Sequence, residues 1–145
     1  MPYEYRITRQ VEFSETDAAG IVHFSNFFRY MEAAEHAFFR SLGHSIHRTG
    51  AAVGWPRVHA DCDYRYPLRF EDTVEIHLLV REKNEKTIVY GFVFRKLNEG
   101  PPRVVARGSL AVACVRRDRE TGVMKAVPIP AEIGGLIEVA PAELL

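Results

Sequence analysis

Apolar and polar positions along this chain follow two different periods, and the change of period divides it. Residues 4–13, EYRITRQVEF, alternate at Tyr5 and Ile7 and again at Val11 and Phe13, which predicts a first strand. Residues 14–25 lose the pattern and read as a loop. In residues 26–42, NFFRYMEAAEHAFFRSL, the residues Phe27, Met31, Ala34, Phe38 and Leu42 recur at helical spacing. Arg29, Glu32, His36 and Arg40 fall on the opposite side, so one amphipathic helix is predicted. Gly43, directly after Leu42, suits the left-handed residue that closes a helix.

Beyond the helix the period falls to two. In residues 58–66, VHADCDYRY, one face holds Val58, Ala60, Cys62, Tyr64 and Tyr66, and the other His59, Asp61, Asp63 and Arg65. Residues 73–80 alternate as well. Residues 87–94, TIVYGFVF, are apolar on both faces, which predicts a central or interface strand. Residues 103–117 read as one long strand broken in pattern by Gly108. Between the strands lie turn-like segments, PLRFED, REKNEK, LNEGPP and RDRETG. A short last strand near 124–128 and a small helix near 131–138 complete the reading. One long helix followed by an antiparallel meander is an α+β layout, and that helix is the only element able to cover the sheet's apolar face.

Composition narrows the function. A chain of 145 residues with 47% hydrophobic residues can bury one core, so a single domain over 1–145 is expected. Nineteen basic residues balance nineteen acidic ones, which gives no electrostatic footprint for nucleic acid. The opening MPYEYR lacks a basic-then-apolar leader, and no apolar run reaches a membrane-spanning length. Cys62 and Cys114 stand far apart without a CxxC pairing, which points to free thiols and a cytoplasmic protein. His44, His47, His59 and Cys62 make no convergent ligand set, so no metal is expected. Neither GxSxG, GxGxxG nor a Walker loop occurs.

The stretch with chemistry in it is ETDAAGIVHFSNFFRY, residues 15–30. Asp17 stands among small residues immediately before an apolar helix. It can be a turn or capping residue, as Asp often is, or a catalytic carboxylate. Glu32 lies toward the polar side of the helix. Glu35 lies at the edge of the apolar stripe, near Met31, Phe39 and Leu42, and is the second candidate carboxylate.

The segment FSETDAAGIVHFSNFFRYMEAAEHAFFRSLG resembles the signature of the 4-hydroxybenzoyl-CoA thioesterase family of hot-dog folds. The matching residues are Phe13, Glu15, Asp17, Ala19, Gly20, Ile21, Val22, Asn26 and the Glu32-Ala33-Ala34 run. The strand order downstream fits too, so the resemblance covers nearly the whole chain. It implies a hot-dog fold, one long central helix wrapped by an antiparallel sheet of five to six strands. It implies hydrolysis of acyl-CoA thioesters, with coenzyme A entering as part of the substrate and no other cofactor. Asp17 would act as nucleophile or as general base on water. The backbone N–H of Phe24, at the helix start, would polarise the thioester carbonyl, because unpaired N–H groups and the helix dipole there favour a developing oxyanion. Gly20 would let the loop turn tightly.

Many members carry a histidine where this chain has Phe24 and an aromatic residue where it has His23. The exchange resembles the branch that acts on aromatic acyl-CoA. His23, Phe27 and Glu35 are then candidate substrate-binding residues, His23 either lining the acyl pocket or simply filling the loop. For the CoA phosphates the segment REKNEK offers Arg81, Lys83 and Lys86, unless it is only a solvated turn; Arg57, Arg65 and Arg69 are alternatives. Open sheet edges and the doubly apolar strand 87–94 predict a homodimer or homotetramer. Two other readings stay open: a hot-dog hydratase or dehydratase, and a non-catalytic acyl-CoA-binding module.

Overall fold

The computed structural model describes residues 2–47 and 51–145. Five strands form one antiparallel sheet: β1 (Glu4–Gln10), β2 (Arg57–Tyr64), β3 (Thr73–Lys83), β4 (Thr87–Lys96) and β5 (Arg103–Ala113), in the order β1-β3-β4-β5-β2. Helix α1 (Asn26–Ser41) lies across its inner face. A small hairpin, β6 (Val115–Arg117) with β7 (Met124–Ala126), and a one-turn helix α2 (Ala131–Gly134) follow. This is the expected α+β layout of a hot-dog fold. Among the described residues no helix is long and apolar enough to cross a membrane.

The helix ends within one residue of its predicted limit. Leu42 closes it and Gly43 takes the left-handed conformation at φ 84°. Its apolar stripe packs on Val74, Ile76, Leu78 and Val80 of β3, and on Ile88, Tyr90, Phe92 and Phe94 of β4, all buried. Strand β4 sits at the centre of the sheet, as its two apolar faces require. On the outer face the sheet is covered by its own long side chains. Arg81 lies over Gly91, and buried His77 joins Glu4 and Arg95.

Several boundaries differ from the sequence pattern. Strand β1 stops at Gln10, and Phe13 belongs to a single 3₁₀ turn, exposed at its tip. Strand β3 continues to Lys83, so only residues 84–86 turn. The strand expected over 103–117 is two strands divided at Cys114. There the chain leaves the main sheet, its N–H bonded to Lys86 O and its carbonyl taking Val127 N–H. Gly108 does not break β5. It is paired on both sides, to Cys62 and Phe92, and a Cβ there would collide with the Met31 side chain. The glycine lets the helix approach the sheet. The last strand is shortened to Met124–Ala126 and the last helix to a single turn ending at the Gly134-Gly135 pair.

Strand β2 is an edge strand, and its apolar residues are more exposed than strict alternation suggests, Val58 at 61%. A bulge between Arg57 and His59 makes Val58 the extra residue and sets Arg57 opposite Val112. That register turns Arg57, in place of Val58, toward the helix.

Candidate active site

The loop before α1 is a small closed structure. Asp17 N–H bonds to Ile21 O, Gly20 N–H returns to Asp17 O, and Thr16 bridges Val22. Gly20 makes this turn possible at φ 78°, where an L side chain is strained. Glu15 pins the loop to the helix. Its carbonyl accepts His23 N–H and the Asn26 side-chain amide, and its carboxylate takes the Tyr30 hydroxyl at 2.9 Å. The spaced acid, glycine and asparagine of the sequence signature are therefore the parts that hold the loop in place.

Asp17 serves the turn and still faces outward. Its Oδ1 accepts Ala19 N–H at 2.9 Å, the geometry of an Asx turn. Its Oδ2 has no hydrogen-bond partner among the described residues. Asp17 lines a cleft of about 400 Å³ together with Ile21, Val22, Phe24, Phe27 and the segment Tyr64–Leu68. The walls are largely apolar. Phe27, buried at the floor, meets Tyr64, Phe94 and Tyr30 edge-on, with ring centroids 5.0–5.9 Å apart.

Phe24 stands in the turn two residues before the helix, with Ser25 as N-cap. Its carbonyl accepts Phe27 N–H at 3.3 Å and the Tyr64 hydroxyl at 2.9 Å. Its own N–H has no acceptor among the described residues. A fixed, unpaired N–H at the positive end of a helix can receive an oxygen that gains negative charge.

Asp17, Gly20, Phe24 and Phe27 are thus brought together around one cleft or its loop. His23 is not part of the lining. It stacks on Phe24 at 4.5 Å, and its Nδ1 takes Ser25 N–H and pairs with the Ser25 hydroxyl at 2.7 Å.

Glu35 lies elsewhere, fully buried under the helix, where Arg57 grips it through two N–H groups at 2.6 and 3.2 Å and also reaches Glu32. Burial pushes its carboxyl up to about 7 against the opposing pull of Arg57. The sequence placed Glu35 at the edge of the stripe; the bulge in β2 is what turned a cation toward it. The Tyr90 hydroxyl is buried nearby without a hydrogen-bond partner among the described residues.

Of the three basic candidates, Lys83 is committed to the chain's own C-terminal segment, its ammonium donating to Gly134 O and Ile137 O at 2.7 Å. Arg81 lies on the outer face of the sheet over Gly91, and Lys86 is exposed in the β3–β4 turn. None of them lines the Asp17 cleft.

Apart from Arg65, offered only as an alternative cation, sequence reasoning missed the wall Tyr64–Leu68. It read as a strand end and a turn, although the Tyr-x-Tyr-Pro run marks the place where a strand must stop. It also passed over the basic run RRDR. Arg116, Arg117 and Arg119 border a larger surface cleft of about 1130 Å³ beside Trp55 and Pro56.

The model of the thioesterase-like superfamily matches residues 11–137. A putative esterase of Aquifex aeolicus is 39% identical over 97 residues, 66% of this chain and 74% of that protein. A 1,4-dihydroxy-2-naphthoyl-CoA hydrolase of Prochlorococcus marinus is 32% identical over 102 residues, 64% of this chain and 66% of that protein. The structure of 4-hydroxybenzoyl-CoA thioesterase from Pseudomonas sp. strain CBS-3 superposes with a TM-score of 0.82 at 22% identity, over 92% of this chain and 99% of that one. With the family model matched over residues 11–137 and one long helix packed on a five-strand antiparallel sheet, the chain is a hot-dog enzyme belonging to the thioesterase-like superfamily.

Proposed function

We propose that this chain hydrolyses acyl-CoA thioesters and favours an aromatic acyl group. One observation carries the reading: Asp17 and Phe24 line the same apolar cleft at a helix start, and among the described residues neither Asp17 Oδ2 nor Phe24 N–H has a hydrogen-bond partner. The thioester carbonyl lies with its oxygen toward Phe24 N–H and its carbon within reach of the Asp17 side. Asp17 Oδ2 either attacks that carbon, expelling the CoA thiolate and leaving an acyl anhydride for water to open, or takes the proton of a water that attacks. In both routes the carbonyl oxygen becomes negative and the N–H strengthens its hold, which is worth about 10²–10³ in rate for one such donor.

The acyl group fits against Phe24, Phe27, Tyr64 and Tyr66, where flat rings stack well. The naphthoyl-CoA hydrolase among the relatives supports that preference. Arg81 and Lys86 and the hairpin arginines Arg116 and Arg117 are cations available to the CoA phosphates. Coenzyme A enters only as part of the substrate, and the reading calls for no metal or redox group. The chain works as a homodimer or homotetramer, pairing the open β2 edge, and in the cytoplasm, where Cys62 and Cys114 remain thiols.

A screen of acyl-CoAs read by release of free thiol tests the proposal. Turnover of benzoyl-, phenylacetyl- and naphthoyl-CoA is the expected result. Binding of these esters without thiol release would instead indicate a binding module, and addition of water across an enoyl-CoA a hydratase.

A further inference from the structure

Tyr66 and Pro67 form a ridge with a cleft on each side. One side is the apolar cleft that holds Asp17. The other is a smaller cleft of about 240 Å³ whose character is different, with Arg69, Lys96, Arg103 and Glu99 around it. Its three cations are not equally engaged. Lys96 is neutralised, its ammonium 3.2 Å from both Asp72 and Glu99. Arg69 and Arg103 have no carboxylate within ion-pair distance among the described residues. The Arg103 guanidinium lies flat on the Tyr66 ring, 3.6 Å from its centroid. Stacking of this kind fixes the plane of a guanidinium and leaves its edge N–H groups free to donate.

Arg69 is held from the other direction. Its main chain bridges Ile21, its N–H donates to Asp72 Oδ2 at 2.7 Å, and its carbonyl accepts Asp72 N–H at 3.0 Å. The preceding Leu68 carbonyl takes Val22 N–H at 2.8 Å. The backbone that carries Arg69 is therefore tied directly to the loop that carries Asp17. Two planar cations with free edges, on firm backbone, one ridge away from the reacting carboxylate, match the bidentate geometry of an oxyanion.

We infer that this second cleft is an anion subsite of the same substrate, with Arg69 and Arg103 binding a phosphate or carboxylate oxygen pair while the acyl group lies across the Tyr66–Pro67 ridge. The inference rests on the thioesterase reading for its substrate. Two parts of such a substrate carry the required chemistry: the phosphates of CoA, and a carboxylate on the acyl group itself.

Arg69→Ala and Arg103→Ala, both at exposed side chains, separate the sources when kcat/KM is measured on three thioesters. These are benzoyl-CoA, benzoyl-N-acetylcysteamine, which has no phosphate, and 4-carboxybenzoyl-N-acetylcysteamine, which adds a carboxylate. If phosphate is bound, the loss on benzoyl-CoA exceeds the loss on benzoyl-N-acetylcysteamine by about tenfold or more, carried by KM. If carboxylate is bound, the excess loss appears on the carboxybenzoyl ester instead. Equal losses on all three esters, or none, overturn the subsite.

Calorimetric titration of the same proteins with free CoA and with terephthalate reads the cleft without turnover. About tenfold weaker binding of either probe by the variants supports the subsite. A wild-type protein that binds neither probe, or variants that bind both as tightly as wild type, overturn it. A wild-type protein that binds a probe through these arginines yet releases no thiol from any ester keeps the subsite and removes the thioesterase reading.

Discussion

The Tyr64 hydroxyl donates a 2.9 Å hydrogen bond to the main-chain carbonyl of Phe24, so the last residue of an edge strand holds the turn that opens the central helix. The two residues are forty positions apart in sequence. The bond fixes the carbonyl of a residue that lines the cleft, and the Tyr64 ring lies edge-on to Phe27 in the same cleft. Tyr64 is a positioning residue for the proposed reaction. Partial desolvation beside Cys62 pushes its hydroxyl up to about 12, so it stays a donor throughout the working range of pH.

Replacing Tyr64 by Phe keeps the ring and removes the bond. The Phe24 turn then loses one of its two carbonyl partners. The expected outcome is a kcat lower by about threefold to tenfold with KM within about twofold, since one neutral hydrogen bond is worth roughly 0.5–1.5 kcal/mol. Steady-state kinetics on benzoyl-CoA measure it. A change confined to KM would mean that Tyr64 only shapes the pocket.

Asp17→Asn isolates the chemistry from the turn. Asparagine retains an Oδ1 that accepts Ala19 N–H, so the loop keeps its closure, while nucleophile and base are both lost. We expect kcat to fall by at least about 10² with the melting temperature nearly unchanged. Near-wild-type turnover in the folded variant would take the reaction away from Asp17.

The buried Glu35–Arg57 pair predicts a pH dependence of stability. Burial is the larger influence on Glu35 and holds its folded pKa at about 7, above the ordinary carboxylate value of 4.5. A raised folded pKa means that the native state binds the proton more tightly than the unfolded chain. That contribution is complete below about 4.5 and is lost as pH rises to about 7. Glu35→Gln removes the titration. The melting temperature of wild type minus that of Glu35→Gln should therefore decrease between pH 4.5 and 7.5. An increase over the same range would show that Arg57 outweighs burial.

Strand β2 leaves an open edge with Val58 exposed, and pairing with a second copy is the expected remedy. Light scattering or sedimentation at micromolar concentration should return at least twice the chain mass of 16.5 kDa. A stable monomer would sink the oligomer proposal and leave the fold untouched.

Selectivity should be modest. Ring stacking adds about 0.5–1.5 kcal/mol beyond area burial, so benzoyl- or phenylacetyl-CoA should exceed acetyl-CoA by a few-fold to about tenfold in kcat/KM. A profile that climbs with straight-chain length and ignores aromatic esters would overturn the aromatic preference.

Local pattern alone determined much of this protein. The helix over 26–41, its glycine stop at Gly43 and the central place of strand 87–96 follow from side-chain periodicity and the conformational freedom of glycine. The Asp17 loop was legible through its resemblance to a family signature, whose residues bond mainly within residues 13–30. Glu15, Gly20 and Asn26 act on near neighbours, so their spacing carries the information. What depends on distant strands was not legible. The bulge that turns Arg57 toward Glu35 exists only in register with β5, and the burial that raises Glu35 exists only once the helix lies on the sheet. The Tyr64 wall and the Arg69–Arg103 cleft come together when the end of β2 meets the start of β5. Periodicity records which face a residue turns, and only the packed sheet decides what stands opposite that face.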